Sequence, residues 1–251
     1  MRIVACVKAC PDTQDITAAP DRTLSFERAQ FKVGTYDLNA IEAARALADE
    51  TGGEAIGLSV GGSALASSKL RKDVLSRGLD AFNVICDDAY SELDSYQSAA
   101  LLQDALGQLG GYDLVLCGAG SSDVYAQQVG NQLGALLGVP TLNNVHKVSV
   151  GSGKAVVERL LESVVQVIEV PLPAVLSLTS ASNIPRIPSM KDILAAGKKP
   201  VNQLSASAAV PQARVEVKSV LAPEQQSRQL DVYDGDVGAA VAKLASYLKA
   251  L

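Results

Sequence analysis

The chain has 251 residues, of which 48% are hydrophobic and 20% charged, a composition typical of a soluble globular protein. Its net charge of −5 and its lack of Trp argue against a nucleic-acid-binding protein, which would normally carry a basic stripe and aromatic stacking residues. No apolar run could span a membrane, and the first residues lack a signal or transit pattern, so we expect a cytoplasmic protein with no membrane insertion.

Strands and helices alternate along the first half of the chain. Buried strands are predicted at residues 2–8, 55–60, 82–86 and 114–117. Helices are predicted at 38–50, with Asp37 or Thr35 as cap, from the Gly61-Gly62 turn to about Arg77, and from a Ser91-x-x-Asp94 capping box to about Leu109. This alternation indicates an α/β fold with a doubly wound, mostly parallel sheet. Since ligands of such sheets bind at the carboxyl ends of strands, three loops are candidates: the one after Lys8, Gly61-Gly62, and 118–123.

The stretch 112–140 combines a buried strand, a small-residue turn and a helical pattern. Val129, Leu133, Leu136 and Leu137 form an apolar face, while Ala126, Gly130 and Gly134 form a second stripe almost without side chains. With Ser122 or Asp123 as cap, the amides of the first turn would form an anion site for a nucleotide phosphate. The alternative is an ordinary strand–helix crossover whose glycines pack on the sheet. The spacing alone leaves both interpretations open.

The pattern changes after Pro140. Short β-rich runs at 145–150, 155–161 and 164–170, followed by an apolar strand at 174–179, predict a β-meander that extends the sheet, with Gly151-Ser152-Gly153 as a hairpin turn. A short helix ending at Gly197 follows. Residues 201–231 are rich in Ser, Ala, Pro and Gln, and lead to an amphipathic helix capped by Asp234 or Asp236. We therefore expect a domain at 1–200 and a C-terminal arm with its helix at 201–251. The arm either embraces another subunit or folds back on its own domain.

Groups for bond-breaking catalysis are sparse in the sequence. The single histidine, His146, is expected to be a satisfied structural or surface residue, and the four cysteines are expected to be structural. There is no Walker A motif, and Val60-Gly61-Gly62-Ser63 lacks the acidic residue that would follow in an ATP pyrophosphatase loop. The pattern favours a protein that holds a nucleotide over a hydrolase.

Seven blocks of sequence resemble a known family. They are IVACVKACPD at 3–12, YDLNAIEAA at 36–44, LSVGG at 58–62, RKDVLSRG at 71–78, SSDVYAQQVGNQLGALLGVP at 121–140, LPAV at 172–175 and PRIPSMKDILAAGKKP at 185–200. In this order they resemble the beta subunit of electron transfer flavoprotein, and most closely its bacterial Fix-type branch. The resemblance covers roughly residues 1–200.

The resemblance implies a heterodimer with an alpha subunit that holds the redox-active FAD. The beta subunit would hold AMP or a second FAD, and would pass electrons from flavoenzyme dehydrogenases toward a quinone oxidoreductase without being an enzyme itself. The nucleotide positions it implies are Cys6, Gly34, Thr35, Tyr36, Asp37, Val60, Asp123, Val124, Tyr125, Ala126, Gln127, Gln128, Val129, Gly130 and Gly134. Met190 aligns with the apolar anchor that docks partner dehydrogenases. Two departures are Val129 in place of the family's Thr, and Gly34-Thr35-Tyr36 in place of Asn-Pro-Phe.

Two other functions are consistent with the same fold. One is a stand-alone regulatory module that binds an adenine nucleotide as a homodimer, which the open arm at 201–231 disfavours. The other is an ATP-using enzyme, which the missing acidic residue after Gly61-Gly62 disfavours.

Overall fold

The computed structural model describes residues 1–224, 232–233 and 235–250. The strands within this part of the chain are β1 (Arg2–Cys6), β2 (Ala9–Pro11), β3 (Thr17–Ala18), β4 (Leu24–Ser25), β5 (Phe31–Val33), β6 (Glu54–Gly61), β7 (Ala81–Cys86), β8 (Leu114–Gly118), β9 (Thr141–Gly151), β10 (Lys154–Leu160), β11 (Val165–Pro171), β12 (Ala174–Leu178) and β13 (Val201–Leu204). The α-helices are α1 (Thr35–Thr51), α2 (Ser68–Ser76), α3 (Ser95–Gln108), α4 (Val129–Leu137), α5 (Met190–Ala196) and α6 (Val237–Lys249). None of these helices is both long and apolar enough to cross a bilayer.

Nine strands form one central sheet in the order β11-β10-β9-β12-β8-β1-β6-β7-β13. From β9 through β13 in this order every neighbouring pair is parallel, while β10 pairs antiparallel with both β9 and β11. The continuous apolar strands that the sequence contains are what a sheet covered on both faces requires. The predicted α/β fold with a mostly parallel sheet is confirmed.

The helices cover both faces of this sheet. One buried cluster joins α1 and α2 to the sheet through residues such as Ile3 and Ile41, and a second joins α3 and α4 through residues such as Val4 and Leu133. The chain builds β1, β6 and β7 outward in one direction, then returns to place β8 on the other side of β1. The fold is therefore doubly wound, and its topological switch point lies between β1 and β8, where such sheets bind ligands.

Strands β9, β10 and β11 form the predicted β-meander and extend the sheet. The apolar strand predicted at 174–179 is present as β12, but it lies between β9 and β8 and is parallel to both. The β9–β10 hairpin turns at Ser152 and Gly153, whose φ angles of 51° and 75° are both positive, as a two-residue hairpin turn with the twist of its strands requires. Beyond the helices, the outer strands β10 and β11 keep exposed apolar side chains such as Val165 and Val167.

Several helix ends differ from the predictions. Gly34, not Thr35 or Asp37, is the N-cap of α1, because the Asp37 side chain is turned inward and buried. The capping box of α3 is formed by Asp94 and Gln97, so the prediction of Ser91 as its first member was wrong. The stretch after residue 200 was assigned to the C-terminal arm, and it begins with β13, which pairs with β7 in register Val201 to Phe82.

The contacts divide the chain into two units. The larger comprises residues 1–17 and 25–219, so it continues past residue 200. The smaller comprises 18–24 and 220–251. Within it, the Arg22 side chain forms an ion pair with Glu224, and the Arg22 carbonyl accepts from the Ala222 amide. Asp236 caps α6 by accepting from the Gly238 amide, while Asp234, the alternative cap, lies outside the described residues.

Candidate functional site

Charged side chains meet at the switch point, at the carboxyl ends of β1 and β8. Lys8 follows β1, Asp123 follows β8, and Asp37 lies in the first turn of α1. The Lys8 amide donates to Asp37 Oδ2 at 2.8 Å, and Lys8 Nζ lies 2.7 Å from Asp123 Oδ2. Two loops that are far apart in sequence are thus tied to the same strand end.

Asp37 is a buried carboxyl group at the centre of this arrangement. Burial raises its pKa to about 7, although the backbone amides of Lys8 and Gly118 donate to it. A Cβ added at Gly118 would lie 2.5 Å from Asp37 Oδ1 and 2.8 Å from the Tyr36 backbone, so only glycine fits there. The close approach of β8 to α1 places Tyr36 beside the turn that follows β8.

Asp123 is held in its charged form. Burial would raise its pKa, but hydrogen bonds from Lys8 and Ser121 outweigh that effect and lower the pKa. The negative charge is therefore paired with the Lys8 ammonium, whose side chain is half exposed.

The segment from Asp123 to Gln128, named the switch-point loop here, is exposed and irregular. The predicted helix starts later than expected: α4 begins at Val129 with Gln128 as its N-cap and without a side-chain cap, so the prediction that Ser122 or Asp123 caps it was wrong. Within the loop, Tyr125 and Gln127 have φ angles of 51° and 57°, which side-chain-bearing residues adopt at a cost of about 1–3 kcal/mol.

The switch-point loop presents unsatisfied backbone donors. Among the described residues, the amides of Ala126, Gln127 and Gln128 donate to no acceptor. The first-turn amides of α4 follow directly, and they have no partner within the helix. A run of N–H groups at a helix N-terminus is the arrangement that binds phosphate and carboxylate groups.

Two tyrosines cover one side of the turn before the loop. The rings of Tyr36 and Tyr125 lie 5.3 Å apart between centroids, and the Tyr125 ring is packed so closely on Gly120 that a Cβ there would lie 2.5 Å from it. The Tyr125 hydrogen bond raises the pKa of Tyr36. This contact brings together the predicted segments 34–37 and 123–128.

The glycine stripe of α4 packs on the sheet. A Cβ at Gly130 would lie 2.2 Å from Ser177 Oγ of β12, and one at Gly134 would lie 1.7 Å from Thr141 Oγ1 of β9. Both glycines are buried. Of the two interpretations of this stripe, the crossover that packs on the sheet accounts for these two glycines, whereas Ala126 lies outside the helix in the exposed loop.

The remaining predicted positions lie on the α3–α4 face of the sheet. Cys6 is buried, and a hydrogen bond with Cys117 together with burial raises its pKa. Val60 is half buried at the end of β6 and packs against the same apolar cluster. All four cysteines are unpaired thiols, in line with a structural role. His146 is half buried, and its Nδ1 has no hydrogen-bond partner among the described residues.

Sequence reasoning missed part of this site. Lys8, Gly118 and Gly120 were not among the predicted nucleotide positions, although Lys8 is paired with Asp123 and the glycines allow Asp37 and Tyr125 to approach. Lys8 was assigned to the end of the first strand, which in the structure ends at Cys6. The two glycines lie in the candidate loop 118–123, but their individual roles depend on which side chains approach them.

Met190, the predicted docking residue, begins α5 and its side chain is 72% exposed. Ser189 caps this helix and forms a capping box with Asp192. The exposed position is in keeping with a contact residue and excludes Met190 from the core.

The site described above can be compared with known protein families. Apart from Cys6, which precedes it, the stretch 23–209 contains all the predicted positions: the first turn of α1, the switch-point loop, α4 and Met190. A family model described as the electron transfer flavoprotein domain matches residues 23–209, more than half of the chain, and the chain therefore belongs to the electron transfer flavoprotein domain family.

Proposed function

We propose that the chain is the beta subunit of a heterodimeric electron transfer flavoprotein. It binds AMP or a second FAD at the switch-point loop and pairs with an alpha subunit that carries the redox-active FAD. In the cytoplasm the complex passes electrons from flavoenzyme dehydrogenases toward a quinone oxidoreductase. Its own residues bind and position, and they catalyse no bond cleavage.

The observation that carries this proposal is the position of the unsatisfied amides. The N–H groups of Ala126, Gln127 and Gln128 and of the first turn of α4 lie at the carboxyl end of β8, next to the switch point of a doubly wound sheet. That is where such folds bind nucleotides. Backbone amides also compensate for Val129, which lacks the hydroxyl of the family's threonine.

The charges near the loop are compatible with a phosphate group. Asp123 would repel a phosphate if it stood alone, but its charge is paired with Lys8. Because the Lys8 side chain is half exposed, its ammonium group can attract an anion while it holds the loop. Half-buried Val60 and Val129 offer an apolar surface of the kind that adenine contacts. A bound flavin would supply the electron-carrying ring, and the residues named here would hold its nucleotide part.

Support for a partner subunit comes from the smaller unit. In α6, the apolar side chains of Val237, Val241, Leu244 and Leu248 recur on one helical face and are all exposed. An exposed apolar face of this size is typical of a surface that another protein covers. The alpha subunit is the occupant that the proposal assigns to it.

The test is to purify the chain with its alpha subunit and to extract and count the bound nucleotides. One flavin plus AMP per heterodimer indicates simple electron transfer, and two flavins indicate that the beta site holds FAD. A heterodimer without flavin or other nucleotide contradicts the proposal.

A pair of variants at Gln127 makes this test specific for the loop. Gln127→Pro cannot adopt the positive φ and removes one amide donor, so we expect the beta-site nucleotide to be lost while the fold is retained, because the residue is exposed. Gln127→Gly keeps both the amide and the conformation, so it should retain the nucleotide. Loss in the Gly variant as well would show that the side chain, and not the backbone, holds the ligand.

A further inference from the structure

The segment before and within α5 carries a group of exposed apolar side chains. We name residues 183–196 the docking segment. Ile184 and Ile187 are 91% and 93% exposed, and Met190 and Leu194 are 72% and 71% exposed. A contiguous apolar set of this kind, on a short segment, indicates a protein-interaction surface.

The segment is nevertheless firmly attached to α1. Asn39 Nδ2 donates to the Asn183 carbonyl at 2.8 Å, and Asn183 Nδ2 donates back to the Asn39 carbonyl at 3.0 Å. Asn39 is 3% exposed, so this amide pair is shielded from water. Reciprocal amide bonds fix the position of the segment at its start.

A second attachment lies one turn along the same helix. Glu42 accepts three hydrogen bonds from Arg186: from the backbone amide at 3.0 Å, from Nε at 2.7 Å and from Nη2 at 2.9 Å. The two-pronged guanidinium–carboxylate contact fixes orientation as well as distance. Arg77 also donates to the Arg186 carbonyl. Ile184 and Ile187 are therefore exposed on a backbone that is bound at both neighbouring positions, 183 and 186.

The surroundings of the docking segment are basic, although the whole chain is acidic. Lys72 of α2 lies next to Gly197, Lys191 is the second residue of α5, and Lys198 follows the end of α5. All three are exposed, and none forms an ion pair among the described residues. Two carboxylates near the segment are engaged by its own residues, since Asp192 accepts from Ser189 and Glu42 accepts from Arg186. Charge complementarity points to a partner whose apolar pocket is bordered by carboxylates.

We propose that Asn39 and Glu42 are positioning residues that hold the docking segment ready for a flavoenzyme partner with an acidic border around an apolar pocket. The inference rests on the proposed function. It extends that function, because Asn39 and Glu42 lie on the inner side of the segment and act through Asn183 and Arg186. A docking segment that is already held in its binding conformation binds more tightly, because it loses less conformational entropy on association. Removing an attachment should weaken docking without removing any side chain that reaches the partner.

The test measures electron transfer to the purified heterodimer from a flavoenzyme dehydrogenase as donor. For Glu42→Gln we expect the KM for the dehydrogenase to rise about fivefold with kcat unchanged, because an attachment and not a reacting group is lost. Hydrogen–deuterium exchange should show faster exchange of the amides of residues 184–194. Arg186→Lys is the second variant. It keeps the positive charge but loses the two-pronged contact with Glu42, so it should also raise the KM and speed the amide exchange.

Glu50→Gln is the matched control, since Glu50 is an exposed residue of the same helix whose side chain forms no hydrogen bond among the described residues. It should leave KM and exchange as in the wild type. Unchanged KM and unchanged exchange in Glu42→Gln and Arg186→Lys would overturn the inference. A fall in kcat with loss of nucleotide in these variants would also overturn it. A wild-type heterodimer that takes no electrons from any of a panel of flavoenzyme dehydrogenases would instead contradict the proposed function. The exchange measurement would still decide whether α1 holds the segment.

Discussion

At the scale of single residues, Asp37 joins three parts of the chain. Its carboxyl group accepts from the Lys8 amide after β1 and from the Gly118 amide at the end of β8, while its backbone belongs to the first turn of α1. Because the group is buried, its charged form is disfavoured even with these two donors, and the pKa rises to about 7. A side chain that organises the switch point therefore titrates near neutral pH.

This pKa predicts a pH dependence of stability. An unfolded aspartate has a pKa of about 4, so the folded state binds this proton more tightly than the unfolded state. The contribution of Asp37 to the free energy of unfolding is therefore complete below about pH 4 and is lost as the pH rises through about 7. Asp37→Asn, which does not titrate, should lack this loss. Relative to the variant, the wild type should lose stability between these pH values in urea unfolding measured from about pH 4 to about pH 8. Parallel pH profiles of the two proteins would contradict the assignment.

At the scale of elements, the glycine stripe of α4 was recognised in the sequence, but the sequence did not show whether it serves a phosphate site or packing on the sheet. Gly130 and Gly134 recur at helical spacing because the helix lies almost in contact with Ser177 and Thr141. A bulky residue at Gly130 would collide with Ser177, so the effect of such a variant on nucleotide binding would report on folding. The loop residues at 126–128 test the site without that complication, because they are exposed.

Replacement of Gly134 by alanine tests this packing. The added Cβ would overlap Thr141 Oγ1, so Gly134→Ala should lower the free energy of unfolding by about 1–3 kcal/mol. The control is Gly107→Ala in α3, where the added Cβ would have no neighbour within 4 Å. There alanine should stabilise the protein by up to about 1 kcal/mol, because it favours the helix. Urea denaturation of both variants gives the comparison, and equal effects would argue against close packing at Gly134.

At the scale of the whole molecule, the smaller unit differs from the larger one in how it buries apolar surface. The larger unit has two buried clusters, one on each face of its sheet. None of the described residues of α6 is buried, and its apolar face is exposed. This contrast is what a segment dedicated to a partner subunit would show.

Leu244→Glu tests the assignment of this face to the alpha subunit. A charge in a covered apolar interface should weaken association about tenfold or more, since the burial of one leucine contributes about 2 kcal/mol. Thermal unfolding of the isolated chain should be unchanged, because Leu244 is exposed. Ser246→Glu, on the opposite face of α6, is the control and should associate normally. Binding curves for the alpha subunit that are the same for both variants would assign α6 another role.

The elements whose signal is local could be predicted from the sequence alone. Apolar strands, helical spacing, the Ser152-Gly153 hairpin and the alternation of strands and helices follow from the chemistry of neighbouring residues, and they were sufficient to predict the doubly wound sheet and its meander. The blocks of resemblance likewise identified the family that the comparison assigns to the chain.

Which of these elements form the site depends on contacts between distant parts of the chain. The four-residue strand β13 has too few side chains to show a period, and its place is set by pairing with β7. Likewise, the environment of Asp37 depends on Lys8 and Gly118, and the packing of α4 at Gly134 depends on Thr141, which approach from other parts of the chain. Local patterns encode local structure, whereas a close approach, a buried charge and a run of unsatisfied amides arise only where distant segments are packed together. The stretch 112–140 thus contained the right residues, and the fold separated those that pack on the sheet from those that remain open to a ligand.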